Sequence, residues 1–291
     1  MSSDNRPSTP FADLLDHARA LTLVDGRGAF ELGPEWGQGR TCFGGALTTV
    51  VLETMTRLVG ELTAAGGDTT RDEGGGLRRA RSLQVVFAAP VAPGLAEISA
   101  ACLRHGRSAT VVEARVLQED EARMTAVASF ASDRPSRTRV AGTTRPELKS
   151  PEASTISLPF VAGVTPNFTK AIELRWAVGG PPGSSLDHSE GAGWCRLREP
   201  QVDTGASLIA TLVDCWPSPT LQTLDRFAAA SSLTWDLQLV DVAGEVAEDA
   251  WWAFAVTTDR AEGGWVHTSG RLWAPDGRLL ALSRQTVAQF A

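Results

Sequence analysis

Apolar positions along the chain change period in an order that repeats. Within GRTCFGGALTTVVLETMTRLVGEL, Leu47, Val50, Val51, Met55, Leu58 and Val59 recur at helical spacing, which predicts a helix over 44–60. Strand-like runs follow at 82–88 (SLQVVFA), 96–104 (AEISAACLR), 108–118 (SATVVEARVLQ) and 123–132 (RMTAVASFAS). In the third run Val112, Ala114 and Val116 alternate with Glu113 and Arg115, the pattern of a sheet with one wet face. The turns HGR and EDEA are short, so neighbouring strands are expected to be antiparallel. A second helical run, DTGASLIATLVD at 203–214, is stopped by Trp216-Pro217, because a residue before proline avoids the α region. Strands are then predicted at about 232–240, 249–258, 264–274 and 278–289.

Between these halves, Asp133 to about Pro166 is rich in Ser, Thr, Pro, Arg and Gly and reads as a linker, and 179–193 reads as a surface loop. The halves also resemble each other in sequence. FGGALTTVVLE (43–53) matches TGASLIATLVD (204–214), each a glycine-started helix carrying an acid ten residues on. RVLQEDEARMTAVASF (115–130) matches RLWAPDGRLLALSRQ (271–285), with a turn one residue shorter. A long helix beside an antiparallel meander buries its apolar stripe only if the sheet curls around it, and two copies pairing edge to edge remove one exposed edge from each. The expected fold is therefore α+β, duplicated, with domains at 10–133 and 166–291 and a linker at 134–165.

Composition narrows the function classes. The 291 residues carry a net charge of -7, and the tightest basic cluster, Arg78, Arg79 and Arg81, is short, so no nucleic-acid partner is expected. There is no apolar run long enough for a membrane span, and Met1 to Pro10 lacks the basic-then-apolar order of a signal peptide, so residence is expected to be cytoplasmic. Cys42, Cys102, Cys195 and Cys215 lie far apart without a CxxC pair and read as small buried hydrophobes. His17, His105, His188 and His267 are equally dispersed, so neither a metal site nor a Ser-His-Asp arrangement is supported by local spacing.

WGQGRTCFGGAL (36–47), RSLQVVFAAPVAPG (81–94), HGRSATVVEARVLQEDEARMTAVASF (105–130) and GRLWAPDGRLLALSRQTVAQF (270–290) together resemble the acyl-CoA thioesterase II family. The resemblance implies a tandem (double) hotdog fold, two antiparallel sheets each wrapped around a central helix, acting on an acyl-CoA without a cofactor. It also suggests dimers of the double unit. In that family an aspartate, a serine or threonine, and a glutamine of the last strand position a water that attacks the thioester. By position the aspartate falls on Asp214 and the glutamine on Gln285. The usual threonine position is occupied by Ala230. Ser232, two residues on, faces the same way in a regular strand and is the favoured hydroxyl, with Ser231 and Thr234 as alternatives.

Each residue also has a plainer reading. Asp214 ends its helix, where an anion opposes the macrodipole, so local stability does not recommend an acid there. Gln285 can hold a water while donating to a carboxylate, or it can simply be polar at a wet sheet end. Gly44, Gly45 and Gly205 start the two helices and can offer N–H groups to a thioester oxyanion, or merely permit close packing. Trp36, Trp216 and Trp235 are candidates for an acyl tunnel, and Arg40, Arg107 and Arg284 for the CoA phosphates. Glu53 matches Asp214, but Phe130 stands where Gln285 would be, and Glu53 shares its face with Thr49, Thr56 and Arg57, a surface suited to solvent or a subunit contact. One competent site per chain is expected. Competing readings are a catalytically silent acyl-CoA-binding or scaffold protein, favoured by Ala230, and a hotdog hydratase or dehydratase, disfavoured by the lack of an Asp-x-x-x-x-His segment.

Overall fold

From Gly45 to Leu52 every residue of the long helix is buried, and a helix apolar all round must be enclosed on all sides. The computed structural model, which describes residues 10–65, 78–201, 204–242 and 244–291, shows what encloses it. In chain order the elements are α1 (Pro10–Ala20), β1 (Arg27–Leu32), β2 (Gly37–Gln38), β3 (Thr41–Cys42), α2 (Gly44–Ala65), β4 (Arg79–Phe87), β5 (Gly94–His105), β6 (Thr110–Gln118) and β7 (Glu121–Ala131). After a long irregular segment come β8 (Ile156–Ser157), β9 (Ile172–Val178), β10 (Glu190–Leu197), α3 (Ala206–Asp214), β11 (Ala229–Leu239), β12 (Trp252–Glu262), β13 (Trp265–Trp273) and β14 (Leu279–Phe290). The inner face of the sheet covers α2 on one side through β5, β6 and β7, while α1 and α3 cover the other. Asp203, the segment before Pro10 and the glycine-rich stretch before Arg78 lie outside the described residues.

The edge-to-edge pairing expected between the halves joins their strands into one sheet of twelve, in the order β1-β5-β6-β7-β4-β11-β14-β13-β12-β10-β9-β8, with every pairing antiparallel. Reading outward from the β4–β11 seam, β4-β7-β6-β5-β1 mirrors β11-β14-β13-β12-β10. The seam pairs Thr234 with Val86 through Gln238 with Ser82, so the inner edges of both halves are consumed by each other.

Four differences from the sequence reading have local causes. The first long helix runs on to Ala65, because Gly60 in an exposed stretch costs too little to end it. The stretch expected as a loop over 179–193 already contains the start of β10, whose burial on both faces (Gly191 to Cys195) leaves no alternation to read. Within β11 the register shifts between Ser232 and Thr234, so Ser232 and Trp235 point inward while Thr234 lies exposed on the outer face. Thr234 is thereby removed from the face assigned to it. Finally, the irregular segment before β8 is bound to the sheet. Trp273 Nε1 donates to Thr143 O at 2.8 Å, Trp194 Nε1 to Lys149 O at 2.8 Å, and the Arg145 guanidinium lies 5.1 Å from the Trp194 ring centre.

Candidate active site

Three of the residues singled out from the sequence meet where α3 ends. Pro217 stops the helix so that Asp214 is its last residue, and the inward face of β14 brings Gln285 opposite. Gln285 Nε2 donates to Asp214 Oδ1 at 3.1 Å, and Ser232 Oγ donates to Gln285 Oε1 at 2.8 Å. The two bonds fix which way the amide points, since its oxygen is engaged by the hydroxyl and its nitrogen by the carboxylate. Ser232, two residues beyond Ala230, stands at the edge of the β11 register shift and reaches this amide. Ser231 and Thr234 are exposed and outside the network.

The fourth component comes from the other half of the chain. α2 and α3 pack closely, with Gly45 against Thr211 and the Thr49 and Thr211 hydroxyls 2.9 Å apart. This packing carries the N-terminus of α2 to the C-terminus of α3. The Gly45 N–H donates to the Asp214 carboxylate, and a Cβ on Gly44 would lie 2.7 Å from Asp214 Oδ2. The anion that opposes its own helix dipole is thus met by the positive end of a longer helix. Asp214 keeps some contact with solvent, yet the surrounding protein is dense enough to dominate its titration. Burial pushes its pKa up to about 6, against the opposing hydrogen bonds from Gln285 and Gly45.

Gly205 is not part of this cluster. It precedes the first residue of α3, at the opposite end from Asp214, in the neighbourhood of Glu53. Glu53 itself is neither a solvent-facing nor a free acid. Ser207 Oγ donates to Glu53 Oε1 at 2.6 Å and Arg19 Nε to Glu53 Oε2 at 3.0 Å, while Arg57 donates to the Leu21 carbonyl and ties down the end of α1. Thr49, placed with Glu53 on a polar surface by the sequence reading, is fully buried. Phe130 is fully buried too. Trp36 packs between Phe11 and Phe43, and Trp235 donates to Ser283 Oγ, so both have structural partners. Arg40, Arg107 and Arg284 are exposed. Among the described residues no group of three or more His, Cys, Asp or Glu is arranged to hold a metal ion, and no helix is long and apolar enough to cross a membrane.

Comparison with known proteins gives this geometry a setting. The chain is similar to a hot-dog-fold protein of unknown function from Alicyclobacillus acidocaldarius, at 21% identity over 95% of this chain and 98% of that one, with a TM-score of 0.73. It is also similar to the tesB protein of Mycobacterium avium subs paratuberculosis (18% identity, 96% and 99% coverage, TM-score 0.73). A third similar structure is the acyl-CoA thioesterase II TesB2 of Mycobacterium marinum (17%, 95% and 98%, 0.71). At these identities the likeness establishes the hot-dog fold. No sequence among the curated proteins matches the chain. Two family models do match, the acyl-CoA thioesterase N-terminal domain over residues 32–131 and the acyl-CoA thioesterase C-terminal domain over residues 141–289. With both models matched in order along most of its length, the chain belongs to the acyl-CoA thioesterase family.

Proposed function

We propose that the protein hydrolyses an acyl-CoA to the free acid and CoA at one site per chain, centred on Asp214. Its architecture is read as a double hotdog, with halves at 10–133 and 166–291 joined by 134–165. The observation that carries the reading is a carboxylate with a pKa of about 6, hydrogen-bonded to an amide whose orientation is fixed, at the N-terminus of a helix. In this reading Asp214 takes a proton from a water as the water oxygen attacks the thioester carbon. The carbonyl electrons move onto oxygen, where N–H groups at the start of α2 stabilise them. Gly45 N–H already holds Asp214, which leaves the role to Gly44. The C–S bond then breaks, and the departing thiolate takes the proton back from Asp214.

Gln285 and Ser232 have positioning roles. The amide holds Asp214 Oδ1 with one N–H and has a second N–H for the water, and Ser232 keeps the amide from flipping. In this reading Ser232 supplies the hydroxyl that Ala230 lacks, and its bond to Gln285 weighs against a silent acyl-binding protein. The test is thiol release from a panel of acyl-CoAs as a function of pH. Turnover is expected, with kcat/KM falling tenfold per pH unit below about 6 as Asp214 protonates. Absence of turnover across the panel, or a rate that stays flat through pH 5, contradicts the reading.

A further inference from the structure

The seam that joins the two halves is shorter than the strand that forms it. β11 runs from Ala229 to Leu239, but it pairs with β4 only from Thr234 to Gln238. β4 ends at Phe87, and the N–H groups of Ala88 and Ala89 both donate to Arg123 O, which turns the chain toward β7. Among the described residues no strand therefore covers Ala229 to Leu233 on the β4 side. An uncovered strand edge presents N–H and C=O groups in a row, ready to pair with an extended partner.

Which groups face this edge follows from the ladder on the other side. Gln289 pairs with Ala230, and its N–H donates to Gly264 O, away from β11. Antiparallel partners alternate between bonded and non-bonded pairs, so Ala230 turns its own N–H and C=O to the open side. Ser232, two residues on and ahead of the register shift, does the same. Their side chains face inward, and Ser232 Oγ reaches Gln285, which holds Asp214. The opposite rim is Phe87, whose Cζ a Cβ on Gly44 would approach to 3.3 Å. The other end of the seam is built differently. There β4 overhangs with Arg79 to Arg81, and ion pairs from Arg79 to Asp133 and Asp241 and from Arg81 to Asp133 tie it down. The open end is the one beside Asp214.

We propose that the free edge of β11 at Ala230 and Ser232 binds the pantetheine arm of the thioester substrate as an added strand. Pantetheine is an extended chain with two secondary amides, the first of them two carbons from the sulfur. Each amide has one donor and one acceptor, the pair that each edge residue offers. Ala230 and Ser232 lie on the order of 7 Å apart along the strand, a span comparable to that of the two amides. Main-chain pairing of this kind gives affinity without demanding a particular side chain, so Ala at 230 is no handicap to it. The proposal rests on the hydrolase reading for the identity of the substrate. CoA and the prosthetic arm of acyl carrier proteins share pantetheine, so the recognition chemistry is the same for both.

The first measurement is hydrogen exchange, read amide by amide, with and without a non-hydrolysable thioether analogue of an acyl-CoA. Added protection is expected at the N–H groups of Ala230 and Ser232, and not at Ala229 and Ser231, whose places in the ladder turn them toward β14. The second compares one acyl group carried on pantetheine, on N-acetylcysteamine with one amide, and on ethanethiol with none. A loss of about tenfold in kcat/KM per amide removed is expected, mainly in KM, since these contacts form before the reaction. Ala230→Pro removes an edge N–H without breaking a bond to β14, and should shrink the ratio between the pantetheine and ethanethiol thioesters about tenfold. An acyl-CoA and an acyl carrier protein thioester are assayed alongside, and the same loss in Ala230→Pro is expected with whichever source the wild type turns over. If the wild type releases no thiol from any substrate, the hydrolase reading fails, while the exchange pattern still decides the edge. Should Ala230→Pro fail to fold, the truncated substrates and the exchange pattern decide. Unchanged exchange at Ala230 and Ser232, rates blind to the amides, or a ratio unchanged in the folded variant overturns the proposal.

Discussion

Asp214 and Glu53 end matching stretches of two helices, yet their surroundings have made different things of them. α3 stops at Asp214, so the carboxylate stands at a helix end, beside the glycine-rich start of α2 and within reach of an amide from β14. α2 continues past Glu53 to Ala65, and Glu53 is held from both sides by Ser207 and Arg19. The Glu53 side chain is 15% exposed and its neighbour α1 buries Phe11, Leu14, Leu15 and Ala18 against the body of the protein. One acid is kept poised by burial with few donors, and the other is neutralised by an arginine and a hydroxyl. In the proposed reading the matching stretches of the two helices each bring a carboxylate, and the helix stop and the covering helix decide which of them can act.

The largest expected effect that separates the two acids is on stability. The folded-state pKa of Asp214 (about 6) lies above the ordinary value of 3.8, so the folded protein holds this proton more tightly than the unfolded chain does. Stability from this group is therefore intact below pH 3.8, is lost as pH rises through about 6, and is flat above that, a total of at most about 3 kcal/mol. Unfolding free energies of the wild type and Asp214→Asn, taken at pH 4 and pH 8, should differ by that amount between the two pH values. The same comparison for Glu53→Gln shows whether the cost belongs to Asp214 alone.

Next is the loss of the positioning amide. Gln285→Ala is expected to lower kcat by about 10²-fold with the fold retained, and Ser232→Ala by about tenfold, since it frees the amide without removing it. A loss in KM alone would place Gln285 in substrate binding. The smallest effect concerns the covered acid. Arg19→Ala removes a half-exposed ion pair and should cost at most about 1 kcal/mol of stability, with turnover within a few-fold of wild type. A large fall in turnover would show that Glu53 and its partners matter to the reaction.

Much of this arrangement is legible in the sequence, and the parts that are not share a cause. The strands β4 to β7 and β11 to β14 alternate clearly or sit between short turns, and Pro217 announces the end of α3. Strand β10 is hidden because both its faces are covered, so EGAGWC shows glycine where alternation would be sought. The β11 bulge is equally invisible, because counting by twos puts Thr234 beside Ser232, and only pairing with β14 reveals the extra residue. At the site, Asp214 ends its helix before a proline, while Gln285 and Ser232 lie within strands that the sequence predicts. The contribution of Gly45 to Asp214 depends on how α2 crosses α3, which no local pattern states. Gly205 looked equivalent to Gly44 for the same reason: the motif is repeated, but its partner is not.

The most direct test is to measure kcat side by side for Asp214→Asn and Glu53→Gln, on an acyl-CoA that the wild type turns over and with melting temperatures confirming folded protein. The account expects Asp214→Asn to lose about 10²-fold or more and Glu53→Gln to remain within a few-fold. Equal losses in the two variants, or full activity in Asp214→Asn, would contradict it.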